Sequence, residues 1–310
     1  MDLTKLSSRL ARLCAALALA ASTCAAAADP GAGRDLDDRS DPALQRGLES
    51  VVRSLGLANE VGAKHLALAL VDVTDADSPR LAMLNGNEMM YAASLPKVAI
   101  LFGAFAEVES GRLALDETRI EAMTNMIRYS SNEDASRVLA WVGPERLLEI
   151  LQSERFRFYD AAGAGGLWVG KAYTKDGAYR RDPIRHLSHS ATAFQVARLY
   201  YLLATDALFT ARLNELMKET LSNPGIHHKF VKGLASRPEA RVYRKSGTWQ
   251  QFHADGALVE TGSRKLVMVG LADDPRGGDW LAEIAAPLYD LALALPPPPD
   301  PVRVANRARR

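Results

Sequence analysis

The chain has 310 residues, of which 48% are hydrophobic, and a net charge of +1. That length holds one large or two ordinary domains around a sizeable core, and the near-neutral balance argues against nucleic acid as a partner. The two cysteines, Cys14 and Cys24, both fall within the first 28 residues, so the remainder has no disulfide and no thiol chemistry.

Residues 1–28 read as a secretory signal. Lys5, Arg9 and Arg12 form a basic stretch, Leu13 through Ala21 an apolar one, and Ala26-Ala27-Ala28 a small-residue cleavage site ahead of Asp29. The apolar part falls short of the ~20 residues that a membrane span needs, so no retained transmembrane helix is expected. Lipid attachment at Cys24 is the less favoured alternative, because Ser22-Thr23 is a poor lead-in for it. The expected location is secreted, in a periplasm.

Residues 29–41, rich in Asp, Gly and Arg, read as a loose linker. Leu44, Leu48, Val51, Val52 and Leu55 have helical spacing from Pro42 to Leu57, with Gly56 as a stop. His65–Val73 reads as a buried strand and Arg80–Gly86 as its partner, ending in a turn. An apolar run from Val98 to Ala106 predicts a helix buried nearly all round, closed by Gly111. Thr118-Arg119-Ile120-Glu121 has the form of a capping box and starts a helix near Arg119. That helix breaks around Tyr129–Asn132, and further helices are expected over Glu133–Trp141 and from Pro144 to Leu151.

Residues 154–190 mix glycines, aromatics and charges with little periodicity, and long irregular segments inside a domain are often functional. A second capping box, Thr192 to Gln195, opens a helix to Leu203, and Leu208–Leu221 gives another. Strands are expected at Arg241–Thr248, Ala257–Glu260 and Lys265–Leu271, the last two as a hairpin. Trp280–Leu295 is helical. Pro296 begins a Pro/Arg-rich tail, 296–310, expected to be disordered. Strands at both ends with helices between predict an α/β fold of the α+β type. One antiparallel sheet is built from both termini (42–92 and 222–295), with an inserted helical part (93–221). A site would sit in the cleft between the two.

Ser94-Leu95-Pro96-Lys97 carries the sharpest chemical signal. Serine and lysine three positions apart stand at the mouth of a core helix. Burial depresses an amine's pKa, and a neutral amine can take a proton from a nearby hydroxyl. Ser130-Ser131-Asn132 lies at a helix break, and Lys245-Ser246-Gly247 ends a strand. The ordered triple resembles the S-x-x-K, S-D-N and K-T-G set of the active-site serine hydrolases, class A β-lactamases and penicillin-binding proteins, over roughly residues 42–295.

The resemblance implies an acyl-enzyme at Ser94 formed from a β-lactam or D-Ala-type amide. Lys97 and Ser130 would move protons, Ser130 to the leaving nitrogen. Asn132 would hold Lys97 and the substrate amide. Lys245 would supply positive potential, Ser246 would bind a substrate carboxylate, and Gly247 would let the strand approach closely. The N–H groups of Ser94 and Thr248 would bind the oxyanion. A small molecule or a peptidoglycan peptide is the expected partner, with a monomeric enzyme and no cofactor. An esterase or D,D-peptidase using the same site, or a catalytically silent cell-wall-binding module, are the alternatives.

Three departures stand out. Ser131 replaces the usual aspartate, a residue that braces the turn. Ser94 and Ser130 are only 36 positions apart, which implies a more open cleft. No E-x-x-L-N segment, which carries the glutamate that activates the deacylating water in class A enzymes, occurs between Asn132 and Lys245. Glu154, Asp160, Asp176 and Asp182 are candidate replacements with nothing to rank them, and without such a base deacylation would be slow. Trp168, Tyr173 and Tyr179 could line the cleft, pack in the core or pin the loop. His186, His189, His227 and His228 lack a metal-site pattern, so no metal is expected.

Overall fold

The computed structural model describes residues 36–296, so the expectations for residues 1–28, the start of the linker and the tail beyond Pro296 lie outside the described residues. Residues 36–41 are packed rather than loose. Leu36 is fully buried, Asp41 N donates to Leu81 O at 2.9 Å, and the Asp41 carboxylate accepts from Ala43 N and Leu44 N to cap the first helix.

Five antiparallel strands form the central sheet in the order β2-β1-β10-β9-β8. They are β1 (Leu66–Asp72), β2 (Arg80–Leu84), β8 (Arg241–Trp249), β9 (Phe252–Thr261) and β10 (Arg264–Asp273). Both ends of the chain thus contribute to one sheet, as expected. Residues alternate across it. Ala67, Ala69 and Val71 join one apolar core, and Leu66, Leu68 and Leu70 join the other. Helices α1 (Pro42–Ser54) and α10 (Gly277–Ala294), with the short turn α9 (Phe230–Gly233), cover the second face. The short α2 (Ala58–Gly62) leads into β1.

The first face meets α7 (Ala193–Ala204) and, beyond it, α3 (Lys97–Glu109), α4 (Glu117–Arg128), α5 (Asn132–Val142), α6 (Pro144–Gln152) and α8 (Ala211–Leu221). Helix α3 is buried on nearly every side, Lys97 included. The irregular segment carries short strands: β4 (Tyr159–Asp160), β5 (Gly165–Gly166), β6 (Trp168–Val169) and β7 (His189–Ala191). The last two join β3 (Met90–Tyr91) in a small sheet ordered β3-β7-β6. Through it the irregular segment is tied to the residues just before Ser94.

Several boundaries differ from expectation: α8 starts at Ala211 and α1 ends at Ser54, and three further differences have local reasons. Helix α4 starts at Glu117, because Asp116 is the cap that accepts from Arg119 N, and Thr118 already lies inside the helix. Strand β9 starts at Phe252, five residues earlier than expected, because polar His253 and Asp255 stay in the ladder and Asp255 is buried against Arg244. Helix α10 begins three residues before Trp280. The Thr192 cap forms as expected, its hydroxyl accepting from Gln195 N at 3.2 Å.

Candidate active site

Ser94 sits in a tight turn three residues ahead of the start of α3. Its carbonyl accepts from Lys97 N at 3.2 Å, and Pro96 O accepts from Ala99 N at 2.9 Å. Pro96 fits there because the N–H that it lacks would have no helical partner. Ala93, immediately before, has a φ of 50°, a left-handed conformation rarely held without support. The support comes from the irregular segment, where Tyr173 Oη donates to Ala93 O at 3.1 Å.

Lys97, the first residue of α3, is fully buried. Its amine donates to Ser130 O at 2.6 Å and Asn132 Oδ1 at 2.7 Å, and lies 3.3 Å from Ser130 Oγ. Burial pulls its pKa down to about 7. No hydrogen bond joins it to the Ser94 hydroxyl, because the amine is turned to the α4–α5 break. There Ser130 has a φ of 57°, which turns its carbonyl toward Lys97. Ser131 caps α5 by accepting from Asp134 N at 3.1 Å, so a serine can brace this turn as an aspartate would.

Strand β8 closes the other side. Lys245 Nζ donates to Ser130 Oγ at 3.0 Å and to Ser246 O at 2.5 Å. Its pKa is held well below the ordinary lysine value, first by burial and then by the charges of Lys97 and Arg244. A methyl group on Gly247 would fall 2.2 Å from Ala92 O and 2.7 Å from Ser94 N and Leu95 N. Only glycine lets the strand come so near the nucleophile's own backbone. Lys97, Ser130, Asn132 and Lys245 are therefore bonded in one cluster, with Ser94 and Gly247 in backbone contact beside it. Ser246 and Thr248 follow on the same strand.

The face of β8 around Ser246 holds groups that sequence reading did not assign to the site. His228, considered there only as a metal ligand, places Nε2 3.1 Å from Ser246 Oγ, and burial lowers its pKa to about 4, so the ring is neutral. Arg244 and Asp255 form a buried pair, with Nε–Oδ1 at 2.7 Å and Nη2–Oδ2 at 2.8 Å. Lys229, 2% exposed, donates to Gly247 O, to Thr248 Oγ1 at 2.8 Å and to Ala254 O at 3.1 Å. Nothing in the local run His227-His228-Lys229-Phe230 marks this lysine as internal.

The irregular segment presents an aromatic ring, not a carboxylate, to Lys97. The centroid of Tyr173 lies 4.4 Å from Lys97 Nζ, and the ring packs on that of His189 at 4.4 Å. Burial raises the Tyr173 hydroxyl's pKa well above its ordinary value. The four acidic candidates are occupied or exposed. Asp182 is fully buried and accepts from Ile184 N at 3.0 Å, Arg185 N at 2.8 Å and Leu187 N at 2.5 Å, so it pins the loop. Asp160 caps Ala162 N, Asp176 bonds Thr174, and Glu154 is exposed. Trp168 is a core residue whose Nε1 donates to Arg180 O, and Tyr179 Oη donates to Val169 O. Among the described residues no cluster of His, Cys, Asp or Glu could hold a metal ion, and no helix is long and apolar enough to cross a membrane.

Solved structures share this architecture. A β-lactamase from Sphaerobacter thermophilus DSM 20745 aligns with a TM-score of 0.62 at 14% identity, over 81% of this chain and 98% of its own. PBP-A aligns with a TM-score of 0.62 at 16% identity, over 83% and 98%. A class A β-lactamase from Bacteroides cellulosilyticus DSM 14838 aligns with a TM-score of 0.61 at 13% identity, over 81% and 99%. At such identities the likeness speaks for the fold. No curated protein matches the sequence. A family model described as the β-lactamase enzyme family matches residues 57–124 and 118–292. With that match spanning most of the chain, the protein belongs to the β-lactamase enzyme family, a family of hydrolases.

Proposed function

We propose that this hydrolase forms an acyl-enzyme at Ser94 with β-lactams or D-alanyl-type amides, and that the adduct is long-lived. The observation that carries the reading is the convergence of Lys97 and Lys245 on the Ser130 hydroxyl, beside a serine whose backbone touches Gly247. Neutral Lys97 takes the Ser94 proton as Oγ attacks the carbonyl carbon. The oxyanion is met by the N–H groups of Ser94 and Thr248. Ser130 passes its proton to the leaving nitrogen as the C–N bond breaks, and recovers one from Lys97. Lys245 and Ser246, the latter fixed by His228, favour a substrate carboxylate.

Slow deacylation is supported by what surrounds Lys97. Burial is the cause of its lowered pKa, with no carboxylate charge opposing it, and Tyr173 covers the side facing the irregular segment. The same observation favours a D,D-peptidase-like use of the site, in which the acyl group passes to an amine or slowly to water. Residues 1–28 support secretion, which would bring the enzyme to peptidoglycan, and a monomer suffices for every group named.

Intact-protein mass spectrometry after incubation with benzylpenicillin tests the reading. A stable adduct of penicillin mass, absent in Ser94→Ala, is expected. Absence of any adduct with penicillins, cephalosporins and activated esters would overturn it.

A further inference from the structure

Behind the oxyanion strand lies a buried cation that the chemistry above does not use. Strands β8 and β9 are joined by Gln250 and Gln251 alone, with Trp249 paired to Phe252 and Thr248 to His253. In a two-residue hairpin the pair that closes the turn exchanges hydrogen bonds, and bonded and non-bonded pairs alternate from there. Gly247 is therefore turned to Ala254 in the ladder, while the Thr248 N–H points to the free edge, the side on which Ser94 lies. The Gly247–Thr248 peptide group thus has its carbonyl directed into the protein and its N–H directed to the cleft.

Lys229 bonds that carbonyl. Its ammonium has three acceptors, Gly247 O, Thr248 Oγ1 and Ala254 O, one for each proton. It is held in place by an unusual local backbone, φ 52°, and by Phe230 N donating to Asp255 at 3.1 Å. Asp255 is itself committed to Arg244, so its charge is largely balanced. A cation on an amide oxygen draws electron density toward it and makes the same amide's N–H a stronger donor. The effect is large where water is excluded. Resting on the acyl-enzyme reading, we infer that Lys229 is a positioning residue of the oxyanion site, polarising and orienting the peptide group whose N–H, that of Thr248, receives the developing negative charge.

The charged and titratable groups around Lys229 are Asp255 and His253 on β9, Arg244 and Lys245 on β8, and His228 beside it in sequence. Burial, partly opposed by Asp255 and helped to a smaller degree by Arg244, sets its pKa at about 8. Polarisation is therefore expected to fade as pH rises through that value.

Stopped-flow acylation by a chromogenic cephalosporin, separating the binding constant from the acylation rate constant, tests the assignment in Lys229→Met. The expected result is an acylation rate constant lower by about ten- to hundredfold, with initial binding unchanged. A phenylboronic acid, whose tetrahedral adduct places an oxygen at the oxyanion position, is expected to lose affinity in proportion. A second measurement needs no variant: in the wild-type protein the Thr248 amide proton resonance should move with the same midpoint as the Lys229 side-chain carbon. Acylation and boronate binding at wild-type levels in Lys229→Met, or a Thr248 resonance indifferent to Lys229 titration, would overturn the assignment alone. A wild-type protein that never acylates would overturn the acyl-enzyme reading and this inference with it.

Discussion

Lys97 and Lys245 meet at one hydroxyl, their side-chain nitrogens 3.3 and 3.0 Å from Ser130 Oγ. They come from opposite walls, one from the start of α3 and the other from the edge strand of the sheet. Burial lowers the pKa of both amines, and at Lys245 the neighbouring Lys97 lowers it further. The arrangement favours a proton deficit at the centre of the cluster, which suits a relay between nucleophile and leaving group.

The first prediction is a pH dependence. Lys97 must be neutral to accept the Ser94 proton, and its pKa is lowered to about 7. The acylation rate constant should therefore rise as pH increases through about 7, and Lys97→Met should lower it by about 10²–10⁴-fold. The shift also has a thermodynamic sign. Between about 7 and 10.5 the unfolded chain holds a proton at this lysine that the folded chain has given up. Stability contributed at this position thus rises with pH across that window. Subtracting the pH–stability curve of Lys97→Met from that of the wild type, both by denaturant unfolding, should leave this slope. A flat difference would contradict the lowered pKa.

Tyr173 provides the second. Its ring lies over the Lys97 amine while its hydroxyl holds Ala93 O. Tyr173→Glu would put a carboxylate beside the amine, in position to activate water. The penicillin adduct should then decay at least about a hundredfold faster, the lower end of what a general base supplies. Tyr173→Phe keeps the ring and removes only the bond to Ala93, so it should slow acylation several-fold without hastening decay. Adduct lifetimes by intact mass separate the two effects.

Much of this fold is written in residue order. Strand β1 and helix α3 are long, strongly patterned apolar runs, and they form where that patterning puts them. The three short motifs name residues that the structure gathers around Ser130: two lie at helix starts, and the third lies within strand β8, which runs past the Ser94 turn. Other features were hidden for physical reasons. Lys229, Arg244 and Asp255 are charged residues in the interior, and charge in a sequence ordinarily means solvent. Their burial depends on partners that only the folded sheet supplies. Tyr173 sits in a segment without periodicity, and its contact with Ala93 spans 80 positions.

The third prediction concerns the buried pair. Asp255 accepts from Arg244 Nε and Nη2 and from Phe230 N. Asp255→Ala would leave the Arg244 guanidinium buried without its counter-charge. Breaking such a pair from one side costs about 3–5 kcal/mol, which for a chain of this size lowers Tm by roughly 6–20 °C. Calorimetry reads this directly. Arg244→Met with Asp255→Leu, which removes both charges, should recover much of the loss, because two apolar groups leave no unpaired ion.

The last prediction turns on the narrowest approach in the site. At Gly247 an added methyl group would meet Ala92 O at 2.2 Å and Ser94 N and Leu95 N at 2.7 Å. All three obstacles are backbone atoms, so no side chain can rotate away. Strand β8 and the Ser94 turn must separate instead. Overpacking of this kind costs about 1–3 kcal/mol, which a protein of this size can survive. Yet the separation falls between the two N–H groups assigned to the oxyanion, and a displacement of that order is catastrophic for preorganised donors. Gly247→Ala should therefore fold, with circular dichroism unchanged and only a modest fall in Tm, while acylation drops by at least about a hundredfold. A folded Gly247→Ala that acylates at the wild-type rate would mean that the strand's closeness to Ser94 serves packing alone.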